Sequence, residues 1–181
     1  GVLHAEDAGL IIENIHTPVQ GQDILSSDNL DGEDVFNIYL QCIRDCSRFG
    51  IPTMVVHLPD DKYPINRLGM DRIKTLAQTA EELDINIAME NLRNVQNVSY
   101  VLDSLDSPKI GFCYDSCHHA NIKPDIDLLS KYGSRLMALH LHDNGGARGQ
   151  HQLPFDGSIS WPTVMRKIYE HLIVGQLLWS L

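Results

Sequence analysis

The residues of this 181-residue chain that can do chemistry are not scattered. His16 stands in Asn14-Ile15-His16-Thr17-Pro18, His57 in Val55-Val56-His57-Leu58-Pro59, and Glu90 in Ala88-Met89-Glu90-Asn91. Asp115 opens Asp115-Ser116-Cys117-His118, and His140 opens His140-Leu141-His142-Asp143-Asn144. Each phrase closes a short apolar run. A single histidine so placed reads most simply as a satisfied structural residue. Five successive apolar runs that each end on His, Glu or Asp are hard to attribute to packing. Gathering ionisable groups is costly unless something compensates their charge, and a divalent cation does so directly. Mixed carboxylate and imidazole donors suit one divalent metal ion, Mn²⁺ or Zn²⁺ first, with Co²⁺, Fe²⁺ or Mg²⁺ also accommodated.

The elements that must position these groups follow from the apolar pattern. Leu10–Ile15, Thr53–Leu58, Ile85–Glu90, Ile110–Asp115 and Leu136–Leu141 are continuous runs of strand length, and Gly175–Leu181 is a candidate sixth. Continuous rather than alternating runs fit strands buried on both faces, as in parallel sheets. Between them, Glu33–Phe49 carries Val35, Tyr39, Cys42, Cys46 and Phe49 at helical spacing, with Gly50 as a stop before Pro52. Further helices are expected over Met70–Leu83, Val98–Leu105 and Ile126–Tyr132. A last one starts at Ser160 as N-cap, with Pro162 in the first turn and Val164, Ile168 and Leu172 facing inward. Strand–helix repetition implies parallel strands with right-handed crossovers. No glycine-rich phosphate loop follows any strand, which weakens a nucleotide-binding reading. In a parallel barrel all C-terminal strand ends converge on one mouth, which gathers the acids and histidines.

Composition bounds the alternatives. Residues 1–181 suffice for one domain with a sizeable core, and 43% hydrophobic with 21% charged residues is globular. No apolar run approaches a membrane span, and no signal-peptide pattern opens the chain, so no membrane association and a cytoplasmic location are expected. The net charge of −10, without a Lys/Arg cluster, makes nucleic acid an unexpected partner. Cys42/Cys46 and Cys113/Cys117 are spaced by four, not as CxxC, and the first pair falls on the apolar face of its helix.

Taken together, His16-Thr-Pro, Val-Val-His57, Met-Glu90-Asn, Tyr-Asp115-Ser-Cys-His118 and Leu-His140-Leu-His142-Asp-Asn resemble the xylose-isomerase-like superfamily. That group holds sugar and sugar-phosphate isomerases and epimerases, inosose dehydratases, and apurinic/apyrimidinic endonucleases of family two. Gln150-His151 through Trp161 resembles the loop after the metal histidine in the isomerase and epimerase members. The resemblance implies an α/β fold of the (β/α) TIM-barrel type. It implies metal ligands at Glu90, Asp115 and His140, with Glu90 also a catalytic base, and His16, His57, His118 and His151 lining the substrate. The implied reaction removes a proton beside the carbonyl of a small sugar-type substrate, with the metal stabilising the enediolate.

Three departures qualify the resemblance. The glutamate ligand of the family's last strand has no counterpart in Gly175–Leu181, where Trp179 or Ser180 stands about where it belongs. Gly149 occupies the position two before His151, where several members carry Asp. His16 already matches the third strand's end, so the barrel is expected to lack its first two strand–helix units of the eight. An open edge then implies missing sequence, a homo-oligomer or a second chain covering it. Two other readings stand beside the isomerase/epimerase one: a metal phosphodiesterase of the endonuclease kind, and a degenerate, non-catalytic barrel. Without the second carboxylate, weak or absent turnover is expected of the chain as given. Trp161 reads as loop packing or a substrate wall, Arg93 and Arg148 as solvated surface or a phosphate clamp. Asp60-Asp61-Lys62 reads as a polar loop, and Asp143 and Asn144 as partners of His140 or a turn.

Overall fold

The computed structural model describes residues 2–19, 21–60, 63–120, 126–147 and 149–171. The expected sixth strand over 175–181, with Trp179 and Ser180, lies outside them, as do Asp61, Lys62, Arg148 and Leu172. Five strands, β1 (Asn14–His16), β2 (Thr53–His57), β3 (Asn86–Glu90), β4 (Ile110–Asp115) and β5 (Leu136–His140), form one all-parallel sheet in the order β1-β2-β3-β4-β5. Around them lie α1 (Val2–Asp7), α2 (Leu30–Phe49), α3 (Arg67–Leu83), α4 (Val95–Ser104), α5 (Ser116–Ala120), α6 (Leu128–Tyr132) and α7 (Trp161–His171).

Sequential strand order is barrel order, because a doubly wound sheet reverses direction at a switch point. The sheet is also curled. Cα atoms of β2 and β5 approach within 8 Å although two strands separate them; in a flat sheet they would stand about 14 Å apart. Side chains alternate accordingly. Met54, Val56, Ile87, Met89, Phe112 and Tyr114 point outward into the main core against the helices. Val55, Ala88, Cys113 and Ala138 face inward as a separate cluster, small enough for strands to curl around them.

The sheet positions differ from expectation mainly at β1. Leu10 and Ile11 are 64% and 83% exposed, and pairing begins only at Asn14 opposite Thr53. β2 itself begins only at Thr53, just after Pro52, so residues 10–13 have no strand to extend against among the described residues. α1 and the short α5 were not expected. α2 and α3 start earlier than their apolar spacing predicts, because Asn29 and Asn66 are the caps: each side chain accepts from the N–H three residues on, Gly32 and Gly69, at 2.9 Å. The stop at Gly50 is as expected. Its φ of 64° is left-handed backbone, and its N–H turns back to the last helical carbonyls. Cys46 is fully buried and Cys42 packs beside the core, both as free thiols.

Candidate functional site

The five strands end on one side of the sheet, and their terminal side chains meet there. His57 is the register partner of Glu90, and Asp115 that of His140, so adjacent strands place these groups side by side. Two buried polar residues pin the ends. Asn91 donates to the Asp115 carbonyl at 2.9 Å and accepts the Asp115 N–H at 2.8 Å, locking β3 to β4. Ser116 Oγ donates to the His142 carbonyl at 2.6 Å and accepts the His142 N–H at 3.0 Å, locking β4 to β5. Neither role can be read from the sequence without the neighbouring strand.

The resulting cavity of about 390 Å³ is lined by Asn14, His16, His57, Glu90, Asp115, His118, His140, His142 and His151. All seven residues expected at the site are therefore gathered, together with His142, to which the sequence alone assigns no role. A second cavity of about 340 Å³ shares His57 and His118 and runs toward Leu92 and Arg93. Arg93 is paired: its Nε and guanidinium nitrogen donate to Asp60 Oδ2 at 3.0 and 2.6 Å. Asp60 is thus an anchor for two loops, accepting also the Asn94 N–H, rather than one polar residue of a solvated turn.

Glu90 sits at the centre, 2% exposed. Its Oε2 lies 3.1 Å from His16 Nε2, 3.0 Å from His57 Nε2 and 3.2 Å from His140 Nδ1, and its Oε1 lies 3.1 Å from His118 Nδ1. Burial alone would raise its carboxyl. The four imidazoles, His118 and His140 foremost, outweigh this and hold it well below the usual carboxylate range. Asp115, equally buried, accepts the His118 N–H on Oδ1 at 2.7 Å. Its Oδ2 is surrounded by His118, His140 and His142 Nδ1 at 3.8, 3.9 and 3.7 Å, too far for hydrogen bonds.

The donor set fits a cation. His16 Nδ1 is 2.6 Å from the Thr17 carbonyl, so that nitrogen carries the hydrogen and the neutral ring turns a lone pair toward Glu90. A lone pair facing a carboxylate is stable only if the ring is protonated or both groups coordinate one ion. Burial would lower the His16 pKa, but Glu90 and the Thr17 carbonyl outweigh it and raise it. Three groups of donor atoms lie close enough to share an ion: His16–His57–Glu90, Glu90–Cys113–His140 and Asp115–His118–His151. Cys113, buried on the inner face, was not expected among them.

The loop after β5 carries His151 to the cavity. Asp143 is fully buried and accepts from the N–H groups of Asn144, Phe155 and Ile159 and from the Trp161 indole. Burial would raise its carboxyl; these donors, the indole first, hold it well below the usual range. Asp143 thus anchors the loop rather than touching His140. Trp161 packs that loop onto α7 and is 5% exposed.

A strand-ordered curl of parallel strands with its polar groups at one mouth is the mark of a barrel segment. The family model for xylose isomerase-like TIM barrels matches residues 4–175. The chain belongs to that family. Among curated proteins it is 36% identical over 94 residues to uncharacterized protein y4fM of Sinorhizobium fredii, covering 48% of this chain and 30% of that one. It is 28% identical over 137 residues to a probable endonuclease 4 of Methanoculleus marisnigri, covering 59% and 47%. A solved D-tagatose 3-epimerase-like protein superposes with a TM-score of 0.77 at 19% identity, covering 93% of this chain and 70% of that one. The chain spans about half the length, or less, of these curated relatives. No helix among the described residues is long and apolar enough to cross a membrane.

Proposed function

We propose that this chain forms the metal-holding portion of a divalent-metal-dependent sugar or sugar-phosphate isomerase/epimerase, moving a proton beside a substrate carbonyl. The observation that carries the proposal is Glu90: one buried carboxylate with four imidazole nitrogens at 3.0–3.2 Å and Asp115 alongside. Glu90, Asp115 and His140 are the proposed ligands, with Zn²⁺ or Mn²⁺ the preferred ion. His16, His57, His118 and His151 line the space a small polyhydroxy substrate would occupy. A bound divalent ion supplies positive charge opposite the oxygen on which negative charge develops. Glu90 is the proposed base, and that role requires its imidazole donors to release it, since a carboxylate held so far down is a poor proton acceptor. The net charge of −10 favours a small sugar-type substrate over a phosphodiester polymer.

A second reading is a metal phosphodiesterase of the endonuclease 4 kind. It is favoured by the three adjoining donor groups, more than one ion needs, and by the likeness to the endonuclease 4 relative. One experiment separates them. The Zn²⁺- or Mn²⁺-loaded protein is incubated in D₂O with a panel of ketoses and ketose phosphates, and in parallel with an abasic-site oligonucleotide. Solvent deuterium entering beside a ketose carbonyl, abolished in Glu90→Gln, is the expected result. Strand cleavage without exchange would replace the first reading by the second.

A further inference from the structure

His140 and His142 stand two residues apart on one side of the chain, with Leu141 turned into the core between them. Ser116 fixes the backbone of His142 from both its N–H and its carbonyl. With its backbone fixed, the ring lies in the cavity lining, where it meets the ring of His151 edge to face at 5.0 Å. Its Nδ1 is buried and bonded to nothing among the described residues. Buried nitrogens of this kind nearly always have a partner.

Asp115 Oδ2 lies 3.7 Å away. That separation is too long for a hydrogen bond. It is close to the spacing of two ligands on one ion: donors each about 2.1 Å from a tetrahedral centre stand roughly 3.4 Å apart. A shift of a few tenths of an ångström closes the difference. We propose that His142 is a metal ligand, binding through Nδ1 a divalent ion that it shares with the Asp115 carboxylate at the outer lip of the cavity. This rests on the metal-site reading above and adds a donor to it. Asp115 is the link, because its carboxylate faces both His142 and His140. His151, edge to face with His142, stands with His118 in donor range of Asp115, so further imidazole donors are at hand on that side of the carboxylate. A carboxylate oxygen with imidazole donors suits Zn²⁺ or Co²⁺ over Mg²⁺ or Ca²⁺.

The test uses the full chain, stripped with chelator and dialysed against graded Zn²⁺, with bound zinc counted per protein. His142→Ala and His142→Gln are compared with the unaltered chain, and circular dichroism checks that each is folded. Both variants are expected to lose one zinc equivalent or to bind their weakest equivalent at least tenfold less tightly. In the Co²⁺-loaded protein the visible ligand-field bands are expected to weaken in the same variants. His142→Gln keeps the size and polarity of the site, so it carries the test should the alanine variant misfold. If the unaltered chain binds zinc and both folded variants bind it identically, the His142 inference is overturned while the metal reading stands. If the unaltered chain binds no zinc, both fall.

Discussion

The indole Nε1 of Trp161 donates a 2.6 Å hydrogen bond to Oδ2 of Asp143, with both side chains buried. The same carboxylate gathers three backbone N–H groups, and a Cβ on Gly157 would collide with it. One side chain therefore ties the loop bearing His151 and the start of α7 to the end of β5, where His140 and His142 sit. Asp143→Ala leaves these donors buried without a partner, and a loss of about 3 kcal/mol in unfolding free energy is expected. Trp161→Phe removes a single donor and is expected to lose about 1–2 kcal/mol. Urea unfolding of both variants checks the ranking; equal and negligible losses would show that the loop is held by something else.

Asp115→Ala is expected to abolish stoichiometric zinc binding while the helices stay folded, because its carboxylate faces the imidazoles of His118, His140 and His142. Glu90→Gln is expected to weaken binding at least tenfold by removing the buried negative charge. Zinc content after dialysis, read beside circular dichroism, is the measurement. Unchanged zinc in folded Asp115→Ala would refute the ligand assignment.

Arg72 offers a test of the scaffold away from the site. It is 7% exposed on α3 and donates to the Leu25 and Ser27 carbonyls at 2.8 and 2.9 Å and to Glu33 at 3.2 Å. Its forked guanidinium holds the segment before α2 against α3, a job that a lysine's single nitrogen cannot do. Arg72→Met is expected to destabilise by about 2–4 kcal/mol, and Arg72→Lys to recover only part of that. Thermal melts of the two variants decide it; full recovery by lysine would mean that charge, not shape, matters there.

Acid sensitivity should trace in part to Asp127, the N-cap of α6 and the partner of Lys167 on α7. Burial raises its carboxyl, but Lys167 and Ser130 together outweigh this and bring it down to about 2. A depressed folded-state pKa contributes stability that is fully present above the unfolded value of about 4 and is lost as pH falls toward 2. Asp127→Asn should therefore flatten the stability profile between those limits and leave the slope above pH 5 unchanged. Parallel profiles for the two proteins throughout the acid range would contradict this.

Much of the fold was legible because its signals are local. Apolar runs such as Ile110–Asp115 match β4 to the residue, and Gly50 marks the end of α2 by the one property that distinguishes it, freedom to adopt left-handed φ. Strand ends were legible too, since each buried run must stop where the chain turns polar, and in parallel strands those stops share one side. Order along the chain thus determined that His16, His57, Glu90, Asp115 and His140 would meet. What the sequence could not contain is distance between strands. The start of β1 depended on where Thr53 offered a partner, not on the apolarity of Leu10 and Ile11. The clamps made by Asn91 and Ser116, the four imidazoles on Glu90, and the orphaned nitrogen of His142 all arise between residues far apart in sequence, where only the curl of the sheet fixes who faces whom. Asp143 shows the same limit. As a letter between His142 and Asn144 it could orient a ligand or make a turn, and only burial beneath Trp161 made it the anchor of a loop.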